Sequence, residues 1–255
     1  MPMTQPDRRM ERARSFGPAA GLYDQVRPSY PVEAIQWALA PLGPGHHRVA
    51  DVGAGTGILT RVLTSMGHEI VAVEPDPRMR EQLSATTPGV EVVDGRAEAI
   101  PLPDGLLDAA VAGQAYHWFD GDSAHSELAR VIRPGGIFTA VWNERDSTVP
   151  WLVEYSRIID PDREPGRSSG RRNVDSFGDG FETVEQADFR HAVACTPELL
   201  VGLLKTRSYS LTASRQRQVE LDAAVCRLAQ EHPDRAGAME FPLPYVVEVF
   251  RARRR

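Results

Sequence analysis

Apolar residues in the first 145 positions fall in short runs separated by longer amphipathic stretches. Arg48–Val52, Glu69–Val73, Val90–Val93, Asp108–Ala112 and Ile137–Trp142 are short and apolar, and read as strands. Between them, Gly57–Met66, Pro77–Ala85 and Asp122–Ile132 carry apolar residues at helical spacing. The last of these helices should stop at Arg133-Pro-Gly-Gly136. Strands alternating with helices predict a parallel sheet covered on both faces, because parallel neighbours need a crossover connection. Segment 16–42 reads as lead-in helices, the second starting at Pro31 in a favoured first-turn position.

The second half changes character. Residues 161–180 are rich in Pro, Gly, Ser and charge, which predicts a mobile loop. Phe181–Cys195 looks extended, Pro197–Lys205 and Arg215–Gln230 look helical, and Tyr245–Phe250 reads as a late strand. A late strand pair enclosing helices fits an antiparallel hairpin at a sheet edge. The basic end, Arg251-Ala-Arg-Arg-Arg255, is expected to be a solvated tail. The chain reads as one domain over 1–255: a core at 16–146, substrate-side insertions at 147–240, and a final strand with tail at 241–255.

The candidate chemistry begins at Asp51-Val-Gly53-Ala-Gly55-Thr-Gly57, between a strand and a helix. Three glycines let the backbone approach a ligand closely, and the helix start offers unpaired N–H groups. In such sheets ligands sit beyond the strand C-termini, where this loop lies. A dinucleotide loop places its third small residue one position later; that position holds Ile58, so the dinucleotide pattern fails. Glu74 ends the second strand, 23 residues after Asp51, placed to accept hydrogen bonds from two ribose hydroxyls.

The D-x-G-x-G-x-G loop resembles motif I of the class I S-adenosylmethionine (SAM) methyltransferases. Three further segments carry the resemblance: Phe16-x3-Ala20-x2-Tyr23-x3-Arg27-Pro28-x-Tyr30-Pro31, Gln114-Ala-Tyr-His117-Trp118-Phe119-Asp120, and Trp142-Asn-Glu-Arg145-Asp146. Together they look like the methyltransferase type 11 family, in its trans-aconitate methyltransferase-like branch. Residues 181–255 match in layout, with Thr206-Arg-Ser208-Tyr209-Ser210 similar to a substrate-side segment. The resemblance implies a Rossmann-like α/β three-layer sandwich with a seven-stranded, mostly parallel sheet and an antiparallel last strand. It implies SAM as cofactor, S-adenosylhomocysteine as product, and a small-molecule acceptor. The cofactor set it implies is Tyr23, Arg27, Asp51, Gly53, Gly55, Gly57, Glu74, Pro75, Arg96, Ala97 and Gln114. In the family the position of Arg96 is usually an acid facing adenine; with Arg here, the backbone of Arg96 and Ala97 becomes the expected partner. The implied substrate set is Tyr30, His117, Trp118, Trp142, Arg145 and Tyr209.

Methyl transfer from a sulfonium is an in-line displacement, so alignment and desolvation can supply much of the catalysis. An acceptor of high pKa also needs a base; a carboxylate does not. His117 is the candidate base, with a packing role beside Trp118 as the alternative. Arg27 can bind SAM's methionine carboxylate or an acidic substrate, and Arg145 an acidic substrate or a surface partner. O-methylation of a carboxylate or hydroxyl is expected, with N- or C-methylation, or SAM binding without catalysis, as alternatives.

Bulk properties narrow the partners. A net charge of −6 argues against non-specific nucleic-acid binding. Two cysteines, Cys195 and Cys226, without metal-type spacing suit a reducing compartment and point to no metal. No apolar run has membrane-spanning length and no h-region follows the Arg-rich start, so a cytoplasmic monomer or homodimer is expected.

Overall fold

The computed structural model describes residues 20–159, 174–207, 210–211, 213–232 and 238–255. The predicted loop at 161–180 lies largely outside them. Helices α1 (Ala20–Val26) and α2 (Val32–Leu39) lead in, and a short 3-10 turn follows at Ala40–Leu42. The chain then alternates through β1 (Arg48–Val52), α3 (Ile58–Ser65), β2 (Glu69–Val73), α4 (Pro77–Thr86), β3 (Glu91–Val93), β4 (Leu107–Gly113), α5 (Gly121–Val131) and β5 (Ile132–Arg145). It continues with α6 (Pro150–Ile159), β6 (Glu185–Cys195), α7 (Pro197–Lys205), α8 (Arg215–Glu231) and β7 (Phe241–Arg253). The sheet order is β3-β2-β1-β4-β5-β7-β6, with β7 antiparallel, as the expected fold class requires. Among the described residues no helix is long and apolar enough to cross a membrane.

Local chemistry explains the helix starts. Asp76 caps α4 by accepting from the N–H of Arg78 (2.9 Å) and Met79 (3.2 Å), with Pro77 at the first helical position. Thr196 caps α7 by accepting from Leu199 N–H at 3.2 Å, again ahead of a proline. Pro31 precedes α2 in extended geometry, so that helix starts one residue later than expected.

Chain contacts divide the protein into two compact units. One comprises Ser29–Asn143, Asn173–Phe189 and Val247–Arg255. Its strands alternate strictly: Ala50, Val52, Ala110, Ala112, Phe138, Ala140 and Trp142 pack on one face with Leu128 of α5. Val49, Ala109, Val111, Ile137 and Val141 pack on the other face with Ile35 of α2 and Leu63 of α3. The second unit comprises residues up to Pro28, Glu144–Arg172 and Arg190–Val246. Its core joins Trp151, Leu152 and Tyr155 of α6, Leu200, Leu203 and Leu204 of α7, Leu221, Val225 and Leu228 of α8, and Leu243 and Tyr245.

Three expectations need correction. α5 does stop just ahead of Arg133-Pro-Gly-Gly136, at Val131, but that stretch is itself strand: β5 begins at Ile132 and not at Ile137. The end of β7 pairs with this stretch, Gly135 N–H donating to Arg254 O (2.9 Å) and Arg254 N–H to Gly136 O (2.8 Å). For the same reason Arg251–Arg255 is not a solvated tail. The Arg251 guanidinium lies 3.8 Å from the centre of the Trp37 ring and 2.6 Å from Glu185 Oε2. Arg253 donates to Gly135 O (2.9 Å) and Pro41 O (3.1 Å), and Arg255 to Phe181 O (2.7 Å). Arginines thus saturate carbonyls of turns that would otherwise rely on water. Finally, α6 was not expected, although Pro150 followed by Trp151, Leu152, Tyr155 and Ile159 is a helical pattern.

If the basic end is structural, Arg251→Ala lowers stability by about 1–2 kcal/mol through loss of the cation–π stack and the ion pair. Thermal melts of the variant check this; an unchanged Tm would return these residues to the role of a passive tail.

Candidate functional site

In the sheet-bearing unit, β1 delivers the glycine loop to the end of β2. The N–H groups of Gly53 and Ala54 both donate to Val73 O, at 2.8 and 3.2 Å. Glu74, 7 % exposed, grips the next turn with both carboxylate oxygens. Oε2 accepts from Gly55 N–H at 2.9 Å and Oε1 from Asp76 N–H at 2.9 Å. Burial pushes the Glu74 carboxyl up from its ordinary value, and these backbone donors pull it back. Asp51 is 1 % exposed and accepts from Thr60 Oγ1 at 2.6 Å, tying β1 to α3. Burial raises its pKa to about 7 against the opposing Thr60 hydrogen bond.

Two glycines of the loop do different work. Gly53 has φ +73°, and a Cβ there would lie 2.6 Å from the Ala115 Cβ. Gly55 has φ +57°, but a Cβ there would meet nothing within 4 Å. The loop is therefore closed at Gly53 by packing and open at Gly55, beside the Glu74 carboxylate. That opening is a backbone turn next to a buried acid.

At the end of β4 the backbone is strained: Gln114 has φ +56°, alone among the described non-glycine residues. It is held by Gln114 N–H to Val141 O (2.8 Å) and Nε2 to Asn143 O (2.8 Å), while Asn143 Nδ2 donates to Ser29 O (3.1 Å). His117 and Trp118 follow in a 3-10 turn at Tyr116–Trp118, their ring centres 4.8 Å apart. The Trp142 indole N–H donates to His117 Nδ1 at 3.4 Å. Trp142 itself is 1 % exposed, so it backs His117 from the core instead of forming an open substrate wall. Tyr30 is also buried, its hydroxyl lying where a side chain at Gly113 would be. The Arg96 main chain is already engaged, donating to and accepting from Ala99 at 3.3 and 2.9 Å, and its side chain points to Glu98 at 3.8 Å. Ala97 is buried beside it and Pro75 is exposed after Glu74.

The remaining expected residues lie in the other unit. Arg27 donates from Nε to Thr206 Oγ1 (3.0 Å) and from Nη2 to Thr206 O (2.7 Å), with its guanidinium 4.6 Å from the Tyr23 ring centre. Arg145 donates from Nε to Ser156 Oγ (3.1 Å) and lies 5.4 Å from the Tyr155 ring centre. Burial, then the like charge of Arg207, pushes Arg27 down and brings Arg145 to about 10. Arg207, Tyr155, Thr60 and Asn143 were not singled out from sequence; Arg207 sat unremarked inside the Thr206–Ser210 motif. Tyr209 lies outside the described residues.

Two measurements test the loop. Gly53→Ala should destabilise the fold by about 2 kcal/mol or more through collision with Ala115. Gly55→Ala should cost about 1 kcal/mol of strain yet reduce S-adenosylhomocysteine affinity at least tenfold, because its methyl fills the opening. Calorimetry on both variants separates the two roles. Asp51 is the pH probe. Its folded pKa of about 7 exceeds the ordinary 3.8, so the folded state holds more protons between those values. Its contribution to stability therefore falls as pH rises from about 4 to about 7, then levels off. Asp51→Asn should raise the Tm of the ligand-free protein more at pH 8 than at pH 5; an equal change at both would contradict the buried-acid assignment.

A family profile described as a methyltransferase domain matches residues 50–140, which carry the loop, Glu74 and the end of β4. An uncharacterized methyltransferase of Mycobacterium tuberculosis is 39 % identical over 244 residues, covering 96 % of this chain and 97 % of its own. A malonyl-[acyl-carrier protein] O-methyltransferase of Methylococcus capsulatus is 36 % identical over 217 residues, covering 80 % of this chain and 78 % of its own. A solved chain from Anaeromyxobacter dehalogenans, described as a type II methyltransferase, superposes with a TM-score of 0.64 at 28 % identity, over 89 % of this chain and 97 % of that one. With the sheet order, the glycine loop and a full-length relative in agreement, this chain belongs to the class I SAM-dependent methyltransferases, in the methyltransferase type 11 family.

Proposed function

We propose that this methyltransferase transfers the SAM methyl group to oxygen on a small organic molecule, a carboxylate in preference to a hydroxyl. The observation that carries the choice of acceptor is the Trp142–His117 contact. An indole N–H aimed at Nδ1 holds the neutral imidazole with its proton on Nε2. In that tautomer Nε2 donates a hydrogen bond and does not take up a proton. A carboxylate acceptor, already ionised at neutral pH, is suited by a donor and needs no base. The relative from Methylococcus capsulatus, an O-methyltransferase, is consistent with oxygen as the acceptor atom. The opening at Gly55 and the Glu74 carboxylate support SAM as donor.

Two experiments bear on this. Calorimetry should show S-adenosylhomocysteine binding to the pure protein; no binding would end the methyltransferase reading. His117→Ala should retain turnover within about threefold on a carboxylate acceptor, whereas loss of a hundredfold or more would make His117 a base and shift the acceptor to a hydroxyl or amine. Trp142→Phe, which frees Nδ1, should raise activity on a phenol relative to an acid if the tautomer sets the preference.

A further inference from the structure

Helix α4 opens with cations where its own dipole favours acids. Its first four residues are Pro77, Arg78, Met79 and Arg80, and beyond the Asp76 cap they include no carboxylate. What Arg80 reaches accounts for its place. Helical side chains lean toward the N-terminus, so a residue one turn in covers the helix start. The Arg80 N–H donates to Asp76 O at 3.0 Å, an opening rung of the helix. Its guanidinium then spans two strand ends. Nη1 donates to Glu74 O at 2.8 Å, and Nη2 donates to Asp94 Oδ2 at 3.0 Å. Glu74 directly follows β2 and Asp94 directly follows β3, which are neighbours in the sheet.

Glu74 is the residue on which these bonds meet. Its N–H donates to Val93 O of β3 at 3.2 Å, while Gly55 N–H donates to Oε2 and Asp76 N–H to Oε1. Its amide, its carboxylate and, through Arg80, its carbonyl are therefore tied to β3, the glycine loop and α4. A carboxylate oxygen has two acceptor positions. Among the described residues each Glu74 oxygen spends one on a backbone N–H, so one remains on each. Two adjacent acceptors are what a vicinal diol fills, provided the carboxylate is ionised and does not turn. Burial and the Asp76 carboxylate push the Glu74 carboxyl up, and the Arg80 cation opposes them. Arginine suits this place, because its planar fork reaches a carbonyl and a carboxylate at once and stays charged. The Arg80 side chain is 21 % exposed and that of Asp94 72 %, so the ion pair alone adds little and the sheltered bond to Glu74 O does the holding.

We propose that Arg80 is a positioning residue for cofactor recognition: by bridging the Glu74 carbonyl and the Asp94 carboxylate, it keeps the Glu74 carboxylate fixed for the two hydroxyls of a ribose. This rests on the reading of SAM as donor and of Glu74 as its ribose acceptor. Arg80 acts through Glu74 and touches no ligand itself. Its removal therefore weakens one part of recognition, the diol, and leaves contacts to the rest of the cofactor in place.

The test is calorimetric titration of the full chain with S-adenosylhomocysteine and with its 2′,3′-dideoxy analogue, which lacks both ribose hydroxyls. The wild-type protein should prefer S-adenosylhomocysteine by about thirtyfold or more, as two hydrogen bonds to a charged acceptor require. Arg80→Met, which keeps the length of the side chain and removes its donors and charge, should narrow that preference by about fivefold or more. General loosening of the fold would weaken both ligands alike and leave their ratio unchanged, so the ratio separates positioning from mere stability. Arg80→Lys keeps the charge but loses the fork, and should fall between the two proteins. A wild-type preference that survives Arg80→Met overturns the proposal and leaves the methyltransferase reading standing. Should Arg80→Met fail to fold, Arg80→Lys decides: a preference narrowed by about twofold or more supports the proposal, and one equal to wild type overturns it. A wild-type protein that binds both ligands equally removes Glu74 from the ribose, and the proposal falls with it. Absence of any S-adenosylhomocysteine binding strikes the methyltransferase reading itself.

Discussion

The cofactor end of the sheet depends on one constraint: two carboxylates must stay buried at the tips of adjacent parallel strands. Glu74 is held by backbone N–H groups from the glycine loop and from the start of the chain leading into α4, and Asp51 by the Thr60 hydroxyl of α3. Each bond offsets part of the desolvation that raises both acids. The loop's course follows. Gly53 is pressed against Ala115 and Gly55 is turned outward, so the acid that shapes the loop also borders the opening beside it.

The other unit uses the opposite charge in a similar way. Its core is aliphatic and aromatic, yet it holds Arg27 and Arg145 against tyrosine rings with their donors aimed by Thr206 and Ser156. Guanidinium is more weakly hydrated than ammonium, so it tolerates such burial better than lysine would. His117 is constrained by its neighbours too: the indole N–H of a core tryptophan faces its Nδ1, which places the proton of the neutral ring on Nε2.

The strand–helix alternation was legible because parallel strands buried on both faces must be apolar and short. The elements from Arg48 to Val131 accordingly fall within a residue or two of expectation. The glycine loop was legible because its backbone demand leaves a fixed spacing. What could not be read were contacts set by distant segments. The final arginines look like a soluble tail until β7 brings them to the carbonyls of residues 132–136 and 181. Trp142 reads as a site aromatic within its motif, but packing puts the ring in the core and leaves only its N–H facing His117.

By itself, then, the sequence determined the class of sheet, the place of the loop at a strand end and the family, because these follow from short-range periodicity and backbone geometry. Only the tertiary structure decided which face of the loop is open, which nitrogen of His117 meets the Trp142 indole and where the arginines of the second unit are buried. Those are matters of burial and of like and unlike charges meeting across more than a hundred residues, and no local pattern encodes them.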